Sequence, residues 1–297
     1  MTTRGHGVLL VFVIVGLIMT ACAAPSSGGK VAIVNGTPIS QADYDKQVKM
    51  VQDSMIEQGL DPKSADGKAS LDQMRVDILN QLIDVELMRQ AAKSEGITVS
   101  DADVNQRMEQ IKKDAGGQDA FNKSLRDAKI TEQDFRNLIV RDQMIYERLY
   151  DKITKALPTT AEQVRSRHIL LNTEKEANDV KARLGKGEDF AALAKELSQD
   201  TQTKDNGGDL GFYPRGVLDP AFENLIFQLK VNEIGIVQTD FGYHVVQVTA
   251  HETDRPLSPE VLQTLGEQMV NRYLDDVRSK AQIKRLLVLP PTATPSQ

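Results

Sequence analysis

Residues 206–216, NGGDLGFYPRG, carry four glycines, one proline and two aromatic residues in eleven positions. Three readings compete for such a stretch: a phosphate cradle, a plain turn into a buried strand, or one wall of a binding groove. The first is excluded, because no Gly-Lys-Ser/Thr follows and Asp209 would repel an anion. What remains is a tight turn, with Gly207, Gly208 and Gly211 serving backbone geometry. The turn delivers Leu210 into a strand along which Phe212 and Tyr213 alternate.

Outward from this turn the chain alternates short elements. VRSRHILL (164–171) reads as a strand, and helices are expected near 174–184 and 189–197. After the glycine turn come a helix near 220–229 and strands near 234–238 and 243–249. The order is βααβαββ without long crossovers, an α+β unit closed by Arg255-Pro256.

The flanks have a different texture. KVAIVNGTPIS (30–40) reads as a strand, a turn at Asn35-Gly36 and a second extended piece. Helices then dominate to Lys155. Three of them start with a Ser or Thr followed three positions later by an Asp: Ser40 and Asp43, Ser100 and Asp103, Thr131 and Asp134. Each resembles a capping box in which the acid also complements the helix dipole. The spacing of Leu71, Met74, Ile78, Leu82 and Val85, widened by Leu79, Ile83, Leu87 and Met88, predicts a central helix over 71–93. One further helix is expected over 131–155. Beyond the α+β unit, Ser258-Pro259-Glu260 starts another, with proline at its first position. Its stripe of Leu262, Leu265, Met269, Tyr273 and Val277 calls for a partner surface, most simply the N-terminal helices. PPTATPSQ at the end has the composition of a disordered tail.

Bulk properties narrow the function. A formal charge of -6, with no dense basic stripe, argues against nucleic acid. The four histidines and single cysteine show no metal-ligand spacing, so neither metal nor other cofactor is expected. The N-terminus is more specific. Arg4 and His6 precede an uncharged apolar run from Val8 to Met19, short for a membrane span and suited to a signal peptide. It ends at Met19-Thr20-Ala21-Cys22, which resembles a bacterial lipobox with Met in place of the usual Leu. In that reading Cys22, the only cysteine, becomes the lipid-modified first residue. Ordinary secretory cleavage is the competing reading, since Ala21-Cys22-Ala23 is also a small-residue site.

Taken together, RHILL (167–171), LSQD (197–200), NGGDLGFYPRG, LDPAFENLIFQLK (218–230) and TDFGYHVVQV (239–248) resemble the parvulin family of peptidyl-prolyl cis-trans isomerases, in order and spacing. The N-terminal stretches KVAIVNGTPISQADYDKQV and ILNQLIDVELMRQAAKSEGI resemble the chaperone segments of PrsA-type lipoprotein foldases and SurA-type periplasmic chaperones. The resemblance implies a fold: a four-stranded antiparallel sheet with surrounding helices, inserted in a mainly α-helical body. It divides the chain into a lipoprotein signal peptide (1–21), a flexible tether (22–29), an N-terminal helical chaperone domain (30–157), a parvulin domain (160–252), a C-terminal segment packing on the N-terminal domain (257–289) and a tail (290–297).

The resemblance also implies roles. His168 and His244 fall on the family's paired histidines, Asp200 on its reaction-centre Cys or Asp, and Thr239 on a hydroxyl linked to the histidines. Leu210, Leu218 and Phe222 take the places that form the proline pocket. Asp219 stands where many members carry a substrate-orienting Gln. Taken singly, a strand histidine or turn aspartate has an ordinary structural reading; the register of all of them favours function. The loop NTEKEAND holds one lysine and several acids, which argues against phosphate-directed specificity. The implied partners are unfolded exported polypeptides with Xaa-Pro bonds and a membrane reached through Cys22, with a homodimer allowed. The implied place is the outer face of the cell membrane, or the periplasm where an outer membrane exists. The competing function is a weakly catalytic or non-catalytic chaperone on the same fold.

Overall fold

The structure, a computed structural model, describes residues 29–288. The leader, Cys22 and the tail therefore lie outside the described residues. The chain divides into two compact units: Met1–Ile153 together with Val270–Gln297, and Thr154–Met269 between them.

In the first unit, β1 (Lys30–Val34) and β2 (Thr37–Ser40) form a hairpin. Asn35 and Gly36 both take positive φ, 48° and 87°, as a two-residue turn of the favoured hand requires. The helices α1 (Gln41–Glu57), α2 (Ala65–Ser94), α3 (Asp101–Asp114) and α4 (Gln118–Asp127) follow. Ser40 and Ser100 cap their helices through side-chain oxygens, with a full capping box at Ser100 and Asp103. Helix α2 starts six residues before the expected 71. Ser64 caps it, and its first two turns are polar, so no apolar period announces them.

The expected helix over 131–155 is broken in three. A short α5 (Glu132–Asp134), capped by Thr131, runs into a π-helical turn over Phe135–Val140 and then α6 (Arg141–Thr154). The core gathers Val31, Val34, Leu71, Ile78, Leu79, Leu82, Ile83 and Leu87. A second cluster, with Val104, Met108, Phe121 and Val140, ties α3 and α4 to the π-helical turn. Arg89 of α2 grips Asp142 of α6 with two 2.7 Å hydrogen bonds.

The second unit holds the sheet. Its strands are β3 (Thr160–Leu171), β4 (Asp209–Pro214), β5 (Ile234–Thr239) and β6 (Gly242–Pro256), all antiparallel in the order β4-β3-β6-β5. The helices α7 (Glu174–Gly185) and α8 (Phe190–Leu197) cover one face, burying Ile169, Leu171 and Val245 with Ala177, Val180 and Leu193. The helix α9 (Pro220–Gln228) covers the other, burying Val164, Val246 and Val248 with Phe222 and Ile226. The alternation of Val245 and Val246 between the two clusters is the period of two of a strand buried on both sides.

The last helix, α10 (Pro259–Lys280), is divided between the units at Met269 and Val270. Val277 joins the helical core, as its place in the stripe requires. Leu265, from the same stripe, instead lies beside Gly216 within the second unit. A seventh strand, β7 (Ile283–Arg285), adds to β1 and completes a three-stranded sheet that the sequence pattern does not announce. Among the described residues, no helix is long and apolar enough to cross a membrane.

Candidate active site

Strand pairing sets the two histidines side by side. Leu170 lies opposite His244 and His168 opposite Val246, so His168 and His244 are diagonal neighbours on the α9 face. Both are buried, and their rings stack with centroids 5.2 Å apart at 18°. Phe222, from the first turn of α9, meets both edge-on, at 6.0 Å from His168 and 5.3 Å from His244.

A single chain of hydrogen bonds runs through the pair. Asp200 Oδ2 lies 2.8 Å from His168 Nε2, His168 Nδ1 lies 3.0 Å from His244 Nδ1, and His244 Nε2 lies 2.8 Å from Thr239 Oγ1. The backbone N–H of Phe241 donates to that same Thr239 oxygen at 3.2 Å. Proton bookkeeping gives the chain a direction. An ionised Asp200 only accepts, so His168 carries its proton on Nε2. With both rings neutral, His168 Nδ1 accepts from His244 Nδ1–H, and His244 Nε2 accepts from the Thr239 hydroxyl. Every member is then satisfied.

Two effects keep this state. Burial, followed by the adjacent His168, pushes the His244 imidazole down to about 4 from its usual 6.5, so the ring is neutral at physiological pH. Burial acts to raise Asp200, but hydrogen bonds from Thr203, His168 and the Gln202 N–H outweigh it and hold the carboxyl below its usual range. The site thus sets an ionised carboxylate against His168, with a neutral His244 behind it and both threonine hydroxyls committed as donors.

The loops are pinned to hold this arrangement. Ser198, the last cap of α8, accepts from Leu170 N at 3.1 Å and Asp200 N at 3.2 Å, while Gln199 N donates to Leu170 O at 2.8 Å. The LSQD segment is thereby fastened along β3. On the other side, His168 N donates to Gly208 O at 2.8 Å. A Cβ on Gly208 would stand 2.1 Å from His168 O, and its φ is +76°. The glycine turn lies directly on the backbone of the first histidine, which is why no side chain is carried there. It then hands Leu210 to β4. Leu210 and Leu218 are partly buried and pack on the cluster containing Phe222. Asp219 caps α9, its Oδ1 accepting from Ala221 N at 2.8 Å and Phe222 N at 3.1 Å. That role fixes the start of the helix that carries Phe222.

The structure therefore brings His168, Asp200, His244, Thr239 and Phe222 into one connected cluster, with Leu210 and Leu218 packed on the apolar group to which Phe222 belongs. Cys22 lies outside the described residues. Two participants escape the sequence reading: Ser198, and Thr203, whose hydroxyl donates to Asp200 and lies 3.3 Å from His168 Nε2. Ser198 lies within the LSQD stretch but carries no role there, and the signal for Thr203 is its three-residue spacing from Asp200, which reads as an ordinary polar turn. Among the described residues, no group of three or more His, Cys, Asp or Glu side chains is placed to hold a metal ion.

Comparison with known proteins identifies the family. Residues 151–252 match the PPIC-type PPIase domain family, and residues 4–150 match the SurA-like N-terminal domain family. The fold and site define a parvulin-type peptidyl-prolyl cis-trans isomerase carried with a SurA-like helical body. Over 264 residues the chain is 38% identical to Foldase protein PrsA of Caldanaerobacter subterraneus subsp. tengcongensis, covering 82% of each. It is 28% identical over 290 residues to Foldase protein PrsA 2 of Bacillus cereus, covering 96% of this chain and 91% of the relative. The crystal structure of peptidylprolyl isomerase (PrsA) from Bacillus anthracis superposes with a TM-score of 0.53 at 26% identity, over 68% of this chain and 96% of that one. The chain belongs to the PrsA foldase family, and it isomerises Xaa-Pro bonds to assist protein folding.

Proposed function

We propose that isomerisation takes place over Phe222, Leu210 and Leu218, with Asp200, His168, His244 and Thr239 forming the polar wall of the groove. The supporting observation is the unbroken chain from Thr239 to Asp200, which ends in a carboxylate whose supporting rings touch Phe222. Rotation about an Xaa-Pro bond faces a barrier of about 18–20 kcal/mol from amide resonance, and no bond is made or broken. Bringing an event of tens of seconds to milliseconds takes about four decades, or roughly 5–6 kcal/mol. Binding the twisted amide more tightly than either planar form supplies that without a nucleophile. The apolar wall holds the pyrrolidine ring while the preceding carbonyl turns. Asp200 supplies a fixed negative field where charge redistributes as resonance is lost. The histidines hold Asp200 in place and ionised rather than moving protons to substrate.

In this reading the clients are unfolded or partly folded exported polypeptides. Residues 1–21 direct export and Cys22 carries the lipid that holds the enzyme on the outer face of the cell membrane. The isomerase occupies 160–252, between a helical chaperone domain (30–157) and a C-terminal segment (257–289). Self-association is an expectation of the resemblance, with no surface assigned to it. The test is proline-limited refolding of an unfolded protein in the presence of the mature chain. Acceleration is expected, falling about 100–1,000-fold in Asp200→Ala as the loss of one positioned electrostatic group implies; equal acceleration by wild type and variant would remove Asp200 from the site. Cys22→Ala is expected to leave the chain without lipid by mass spectrometry and to release it from the membrane fraction.

A further inference from the structure

The turn between β5 and β6 carries a residue that the isomerase site, as described, does not use. Thr239 pairs with Gly242, so Asp240 and Phe241 form a two-residue hairpin loop. Such loops are ordinarily Asn, Asp or Gly, chosen for their backbone freedom. Neither Asp240 nor Phe241 has a positive φ, so no conformational demand selects a phenyl ring there. Yet Phe241 is 80% exposed, exceeded among the described large hydrophobic residues only by Val288, close to the end of the described residues. A lone exposed hydrophobic residue is unremarkable on most surfaces. What distinguishes this one is its address. Its backbone N–H bonds Thr239 Oγ1, which bonds His244 Nε2, and the His244 ring lies against Phe222. The Phe241 backbone is therefore tied by one hydrogen bond to Thr239, itself bonded to His244, on a hairpin tip flanked by paired strands.

We infer that Phe241 is a specificity-determining residue, which takes an aromatic or branched aliphatic side chain of the client close to the isomerised proline. The inference rests on the groove assigned above. Clients of a foldase are unfolded and so present the apolar side chains that folded proteins bury. A phenyl ring beside the groove offers them an apolar partner with two rotatable angles and little entropy to lose. Removing it should weaken binding in ground state and transition state alike, which raises KM and leaves kcat in place.

The experiment measures cis-trans exchange by NMR at several peptide concentrations, using the mature chain and its Phe241→Ser and Phe241→Tyr variants. The peptides contain one Xaa-Pro bond flanked either by Phe and Leu or by Ser and Asn. The inference expects Phe241→Ser to raise KM about fivefold to tenfold for apolar-flanked peptides, with kcat unchanged and polar-flanked peptides unaffected. Phe241→Tyr should restore the wild-type KM. An equal change for both peptide classes, or none for either, overturns it. If the wild-type chain accelerates neither class, the groove assignment fails. Chemical-shift titration with the same peptides then decides about Phe241 separately: selective loss of apolar-flanked binding in Phe241→Ser sustains the role, and unchanged binding ends it.

Discussion

At the scale of single residues, His244 connects the site to the stability of the sheet. Its imidazole is held near 4 in the folded chain against 6.5 for an exposed ring. Between those values the unfolded chain binds a proton that the folded chain refuses. The stability is complete above about pH 6.5 and is lost as pH falls toward 4, by on the order of 3 kcal/mol. Asp200, held below 3.8, contributes only at lower pH, as its carboxylate is protonated, so the two windows are separate. Urea denaturation read on β3 and β6 amide signals should show this loss from pH 7 to 4. His244→Gln should lose the slope in that window. An unchanged slope in the variant would mean that another group causes it. The paired histidines, Asp200 and Phe222, which the structure brings together, stand out in sequence because they fall in the order and spacing of several family-like stretches. Ser198 and Thr203 are not, because hydroxyls that bind a neighbouring loop leave no periodicity.

Among elements, the glycine turn has the strictest requirement. Gly208 combines a positive φ with contact on the His168 carbonyl, so Gly208→Ala must move either the turn or the central strand. A loss of about 3 kcal/mol is expected, with isomerase activity falling alongside, since β3 carries His168. Gly211 also has positive φ, 79°, but nothing lies within 4 Å of an added Cβ. Gly211→Ala should therefore cost about 1 kcal/mol and spare activity. Equal melting-point losses in the two variants would contradict the close-approach argument. Elements with an apolar period or a cap were readable: the hairpin at Asn35-Gly36, the helices starting at Ser40 and Ser100, and the βααβαββ order. The π-helical turn over Phe135–Val140 was not, because its side chains still satisfy a helical pattern while the hydrogen bonds slip by one residue. Strand β7 has only three residues, Ile-Lys-Arg, and is a strand because β1 offers it a free edge.

At the scale of the whole molecule, the order of the two units along the chain explains why texture alone could place them. The helical unit is made of segments from both ends of the chain, and its small sheet joins them through β1 and β7. The isomerase unit contains its own sheet, its own two clusters and every described member of the proposed site. The division within α10 could not be read, since a continuous apolar stripe does not reveal that Leu265 and Val277 pack in different units. The central claim is that one groove in this unit performs the isomerisation through an apolar floor and a charged rim. NMR exchange spectroscopy on a panel of Xaa-Pro peptides tests it most directly, comparing the mature chain with Phe222→Ala and Asp200→Ala at matched fold stability. The account predicts acceleration by the mature chain, abolished in Phe222→Ala and reduced by about 100–1,000-fold in Asp200→Ala. Acceleration that survives both substitutions in folded protein would contradict it and place the reaction elsewhere.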